Sequence, residues 1–226
     1  MGYIGETAVP FIVDYFKTII IPRFLEIARV PYDHHEVLWA IAPLAITLLL
    51  VQIYFGRHKQ EELGWESAYG NSIVLIFVVV DLIRHLIQRY GFDAVIQSGN
   101  EAFYKLIIVA VIFTIAIILF FIDFFHSISK KISFFLSSSL FIVFVAYLAI
   151  VSVYSDITFD RHTLITAILF FIVLYIFFNI FRWLVPPSPE AERYLEERHA
   201  QHKEWLSHKE EELKHHIKSI KEKIGF

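Results

Sequence analysis

Apolar positions run through this sequence in three uninterrupted stretches, Leu106 to Ile122, Ile132 to Ser155 and Thr163 to Phe181, none of which contains Asp, Glu, Lys or Arg. Each approaches the ~20 residues that a helix needs to cross ~30 Å of hydrocarbon. A soluble domain must cover its core with polar side chains, whereas a bilayer solvates apolar faces directly. The pattern predicts spanning helices over 103–125, 132–154 and 163–185. A further span, Val37 to Phe55, precedes them. It begins after Asp33, His34, His35 and Glu36, is closed by Gly56, Arg57, His58 and Lys59, and carries Trp39 and Tyr54 near its two ends, as aromatic belts do. The second span in chain order, about 68–90, is the unconventional one: its apolar run Ile73 to Val80 covers about half a bilayer before Asp81 interrupts it.

Before the first span, Val9, Ile12, Val13, Phe16, Ile20, Phe24, Ile27 and Val30 recur with helical period around Asp14, Lys17, Arg23, Glu26 and Arg29. Those charges, together with Pro10 and Pro22, make a crossing of hydrocarbon expensive and favour an amphipathic helix lying along the membrane. After the last span, Pro186 and Pro187 stop the helix, and Ser188 with Pro189 supplies a cap and first turn for a new one. The expected fold is thus an all-α polytopic bundle of about five spans. Its parts are an N-terminal interfacial segment (1–36), a transmembrane bundle (37–185) and a charged helical tail (186–226).

Composition sharpens this picture. The 226 residues include 23 Phe and no Cys, which removes disulfides, thiolate metal sites and cysteine nucleophiles. A net charge of −3 gives no reason to expect nucleic acid as a partner. No basic start followed by an apolar run and a small-residue cleavage site opens the chain, so no removable signal peptide is expected. Lysine and arginine gather on the Arg57, Lys130, Lys131 and Arg182 side and in the tail, which favours an N terminus outside the cell membrane and a C terminus in the cytoplasm.

Asp81, Arg84, His85, Gln88 and Arg89 fall within an arc of about 140° on the second span. Leu82, Ile83, Leu86 and Ile87 occupy the other side. An ionisable face cannot be presented to acyl chains, so it must meet protein or water. One reading is a lining for an aqueous vestibule or ion pathway, with Asp81 as the carboxylate and His85 as a group that changes charge near neutral pH; Asn71 continues the same face. The competing reading pairs Asp81 with Arg84 or His85 one turn away and sends Gln88 and Arg89 to the headgroups.

Elsewhere the polar residues are scattered. Asp123 and His126 stand one turn apart and suggest an interfacial pair. Tyr147, Tyr175 and Asn179 can bond across helices, and Ser137, Ser138 and Ser139 permit close helix approach. In the tail, Glu210 with Lys214, Glu211 with His215 and Glu212 with His216 support an exposed helix. Leu206, Leu213 and Ile220 repeat every seven residues, a weak coiled-coil signal. His208, Glu212 and His215 share a face and are weak metal candidates, their spacing matching no closed zinc motif, so no cofactor is expected. No G-x-S-x-G, H-E-x-x-H, P-loop or dinucleotide glycine pattern occurs, which argues against an enzyme. The expected partners are the lipid bilayer, further copies of the chain and a protein recruited by the tail. The function expected is a homo-oligomeric channel or transport component, with a noncatalytic membrane scaffold as the alternative.

Overall fold

The computed structural model describes residues 13–61, 63–155, 157 and 160–224, with side chains through residue 214. Among these residues the structure is helical, and no strand forms. A π-helical turn, Phe16–Ile20, leads into α1 (Ile21–Asp33). There follow α2 (His35–Arg57), α3 (Trp65–Tyr90), the short α4 (Phe92–Ile96), α5 (Glu101–Phe125), α6 (Lys130–Leu136), α7 (Ser139–Tyr154), α8 (Arg161–Leu184) and α9 (Pro189–Ile224). Five segments are long and apolar enough to cross a membrane: α2, α3, α5, the α6–α7 stretch and α8. They coincide with the five spans read from the sequence to within a few residues.

The fourth of these is not one helix. α6 stops at Leu136, Ser137 and Ser138 leave the helical path, and the Ser138 side chain caps α7 by accepting from Phe141 N at 3.3 Å. The Ser138 hydroxyl supports the break, since it donates to Phe135 O at 2.8 Å and accepts from Phe141 N, local partners that compete with the helix ladder.

Contacts divide the chain into two units, 1–52 with 63–180, and 53–62 with 181–226. In the first, α3 is the central element and packs on α5 and α7. Its buried positions Ala68, Ser72, Leu75, Val79, Leu82 and Leu86 repeat every three or four residues and form one stripe. Facing it are Ala102, Val109, Ala116 and Leu119 of α5, with Ala146, Ala149, Ile150 and Val153 of α7. The many alanines matter, because between helices in lipid the attraction comes from close van der Waals approach rather than from expelling water. Outward positions such as Ile107, Val111 and Ile118 on α5, and Ile168, Ile172 and Ile176 on α8, are large, apolar and exposed, as lipid contact requires.

The N-terminal helix belongs to the same unit. Ile20, Ile27 and Val30 are buried, the Phe24 ring lies 5.2 Å from that of Phe170, and Tyr147 OH donates to Ile27 O at 2.7 Å. At the start of α8, Asp160 Oδ1 accepts from Thr163 N at 2.7 Å, and Oδ2 lies 3.4 Å from the Arg23 guanidinium. The Thr163 backbone N–H and hydroxyl, helped by Arg23, hold the Asp160 carboxyl down to about 2. Arg23 is correspondingly raised, chiefly by its hydrogen bond to Glu26.

Because the folded value of Asp160 lies below the ~3.9 of an unfolded Asp, its stabilising effect is complete above about pH 4 and lost as pH falls toward 2. Asp160→Ala is therefore expected to lower the thermal midpoint in detergent at pH 7. The same variant should flatten the midpoint's decline across that acid window.

In the second unit, Ser188 N donates to Arg57 O at 2.8 Å, and the Ser188 hydroxyl caps α9 at Ala191 N, 3.2 Å away. A Cβ on Gly56 would stand 2.9 Å from Val185 Cβ and 3.2 Å from Arg182 O, so only glycine permits this approach of α2's last turn to the end of α8. α9 carries Trp205, Leu206 and Leu213 exposed along its length.

Candidate functional site

The helical stripe of ionisable residues lines an open cavity. A cavity of about 1370 Å³ opens between the N-terminal half of α2 and the face of α3 that carries Asp81. From α3 it takes Val74, Phe77, Val78, Asp81, Arg84, His85, Gln88 and Arg89. Asp33 to Glu36, Trp39 and Leu44 close the opposite wall, and Ile150 and Tyr154 of α7 complete it. Polar groups crowd one end and apolar ones the other. Asp81 lies nine residues from the Tyr90 end of α3, roughly 13 Å along the axis, and Val74 lies roughly 24 Å from it. The cavity thus runs along more than half of a helix long enough to cross a bilayer.

Each polar group on the α3 wall has a definite arrangement. Asp81 Oδ1 accepts from Arg84 Nη2 at 2.5 Å, and both side chains remain open, 40% and 67% exposed. That is the self-pairing one reading of the sequence anticipates, and it lies on an open cavity wall and not in a closed contact. His85 stacks on Tyr154, ring centroids 3.7 Å apart, with its Nε2 buried and without a hydrogen-bond partner. Arg89 Nη1 donates to Tyr154 O at 3.3 Å and does not simply reach outward. Gln88 is exposed on the cavity wall.

Next to this wall, Lys105 of α5, 6% exposed, reaches Glu101 at 2.7 Å and donates to Tyr90 OH at 3.3 Å. Tyr90 OH in turn donates to Glu101 at 3.1 Å. This cluster ties the end of α3 to the start of α5 and holds the ionisable face in register.

Other sequence candidates fall elsewhere. Asn71 does not join the cavity: its Nδ2 donates to Ser137 O at 2.8 Å and to Ser139 Oγ at 3.1 Å. Asp123 is not paired with His126. Its Oδ1 accepts from Ser133 Oγ at 2.5 Å, and its Oδ2 from Ser137 Oγ at 2.6 Å and Ser72 Oγ at 2.8 Å, with only 1% of the residue exposed. His126 instead ends α5 in a left-handed conformation, φ 52°, its ring centroid 4.1 Å from that of Trp65. The i, i+3 pairing fails because Asp123 turns toward α3 and α6, where hydroxyls await it, while the chain reverses at His126.

Asn179 is exposed and donates to Tyr175 O at 2.8 Å within its own helix, and among the described residues it has no cross-helix bond. In the tail, His208 Nδ1 lies 3.6 Å from Glu212, both exposed, and the His215 side chain is outside the described residues. Among the described residues, no three His, Cys, Asp or Glu side chains gather as a metal site would require.

Sequence reading passed over Ser72 and Ser133, and it took Asp33 to Glu36 as flanking charges. A usable signal did exist for the serines. Ser133 and Ser137 are four apart and share a helical face, with Asp123 ten residues before Ser133 at the end of the preceding helix.

The fold and this cavity define a class: a multi-pass helical membrane protein with an ionisable recess cut into its bundle. No known protein family, curated protein or solved structure matches the chain.

Proposed function

We propose that the chain is a channel or transport component that works as a homo-oligomer, with the face Asp81, Arg84, His85 and Gln88 of α3 lining a water-filled vestibule. The observation that carries this reading is the cavity of about 1370 Å³ along a candidate membrane span, one wall of which is ionisable. Maintaining ionisable groups at that depth is expensive, and intramembrane charge faces aqueous cavities or partners. Leu44, Val74, Val78 and Ile150 give the recess an apolar part beside its ionisable wall. A second copy against the bundle, or a movement of α2, would extend it into a path. The charge asymmetry favours a vestibule that opens outside the cell membrane and a tail in the cytoplasm.

The exposed α9 favours a second reading, a noncatalytic membrane scaffold. Trp205, Leu206 and Leu213 stand exposed on a helix of 36 residues, as a partner-binding helix would present them. Reconstituting the full chain and a chain lacking 189–226 into liposomes separates the two. Ion or solute flux that survives removal of the tail supports the channel. Absence of flux from the full chain, with partner recruitment that disappears along with the tail, supports the scaffold.

A further inference from the structure

A second polar centre lies at the opposite end of α3 from the vestibule's charged rim, and it does not depend on the transport reading. Asp123 is almost completely buried, and its three partners, Ser72, Ser133 and Ser137, are all neutral hydroxyls. Among the described residues Asp123 forms no ion pair. A buried carboxylate ordinarily has a cationic partner, because neutral hydrogen bonds replace only part of the hydration it loses.

Its position adds to the imbalance. Asp123 stands in the last turn of α5, where unpaired carbonyls make the helix end negative and disfavour an anion. The C-terminal residue of α6 is followed directly by Ser137, whose hydroxyl is on the same carboxylate, so a second helix end approaches it. The carboxylate and the two helix ends present negative potential to one spot, and only the hydrogens of three neutral hydroxyls are turned toward it.

The donor chemistry restricts what can complement it. Every ligating atom is oxygen, which suits a hard cation, and the single carboxylate balances one positive charge, whereas calcium and magnesium sites draw on more carboxylates or retained waters. A serine hydroxyl is donor and acceptor together, so it can turn its hydrogen away and offer a lone pair. For Ser72 an alternative acceptor is already in place, Ala68 O at 3.3 Å. Asn71, bonded to Ser137 O and Ser139 Oγ, holds the interruption between α6 and α7 against α3 and so fixes the Ser137 hydroxyl. With three hydroxyl oxygens each 2.5–2.8 Å from one carboxylate, the nest is small.

We propose that Asp123, with Ser72, Ser133 and Ser137, binds one monovalent alkali cation of about the size of sodium. The test uses the full chain in detergent at neutral pH and constant chloride, with sodium, lithium or potassium replacing the bulky cation N-methyl-D-glucamine. The expected result is a saturable rise of the thermal midpoint in sodium, about 5 °C at saturation. One radiolabelled sodium should be retained per chain and displaced by unlabelled sodium.

Ser133→Ala and Asp123→Asn should each weaken that retention at least tenfold and abolish the saturable rise. Should Asp123→Asn fail to fold, Ser72→Ala provides the second variant. Equal midpoints in sodium and N-methyl-D-glucamine, no retained sodium, or serine variants that bind like the parent would overturn the proposal. So would a midpoint that follows pH but not sodium, since a proton would then be the occupant. No flux enters this assay, so its failure leaves the vestibule reading standing, and a failed flux assay leaves this one standing.

Discussion

Asp81→Leu is expected to reduce cation flux through reconstituted protein by roughly tenfold or more while changing unfolding stability by less than about 1 kcal/mol. The two effects separate because of where the pair sits. The Asp81–Arg84 ion pair is 2.5 Å long but 40% and 67% exposed to the cavity, so water screens it and its loss exposes no buried charge. A permeating cation passing within several ångströms of Asp81 experiences its charge in a confined, partly low-dielectric space. There an interaction of one to a few kcal/mol is ordinary, enough to change occupancy by a power of ten. The companion variant Arg84→Leu removes the opposing charge and should raise cation flux. Liposome flux, measured alongside thermal unfolding in detergent, reads both quantities. Unchanged flux in both variants would remove the α3 face from the pathway.

Asp123→Leu should behave in the opposite manner and destabilise the bundle by about 3 kcal/mol. Leucine fills much of the space but leaves Ser72, Ser133 and Ser137 without the acceptor to which all three hydroxyls are directed. A buried hydroxyl that loses its partner costs about 1–3 kcal/mol, and back-bonding such as that of Ser72 to Ala68 O recovers part of it. Combining Asp123→Leu with alanine at Ser133 and Ser137 should restore much of the loss, because a network replaced as a whole leaves nothing unsatisfied. Chemical unfolding of the single and combined variants measures that coupling. Additive losses would show that the serines and Asp123 do not act as one network.

Why the bundle was legible in the sequence and the two centres only partly so follows from what each depends on. Spans are set largely by unbroken apolar length, a local property, and four of the five were visible on that basis, while the α3 span is broken at Asp81 after about half a bilayer. The α3 face was visible too, because helical period alone brings Asp81, Arg84, His85 and Gln88 onto one side. Which element would stand opposite was not, since His34, His35 and Glu36 reach the cavity only through the packing of α2. Asn71 shows the limit of periodicity: it shares the arc of Asp81, yet Ser137 and Ser139 capture it before the cavity begins.

The Asp123 centre depends on the interruption at Ser137 and Ser138. A continuous helix over 132–154, as apolar length suggests, gives no reason to bring Ser133 and Ser137 onto a carboxylate of α5. Serines in a hydrophobic run read equally well as small packing residues, and only tertiary contact separates the two uses.

Water in the recess beside α3 is the claim on which the functional reading turns, and substituted-cysteine labelling tests it directly. The chain contains no cysteine, so one introduced thiol is the only target for a charged, membrane-impermeant reagent applied to intact membranes. Phe77 lines the cavity, and Val80, three residues on and 57% exposed, does not. The account predicts rapid modification of Phe77→Cys and Gln88→Cys and none of Val80→Cys or of Ile118→Cys on α5. A Phe77→Cys chain as unreactive as Val80→Cys would contradict it.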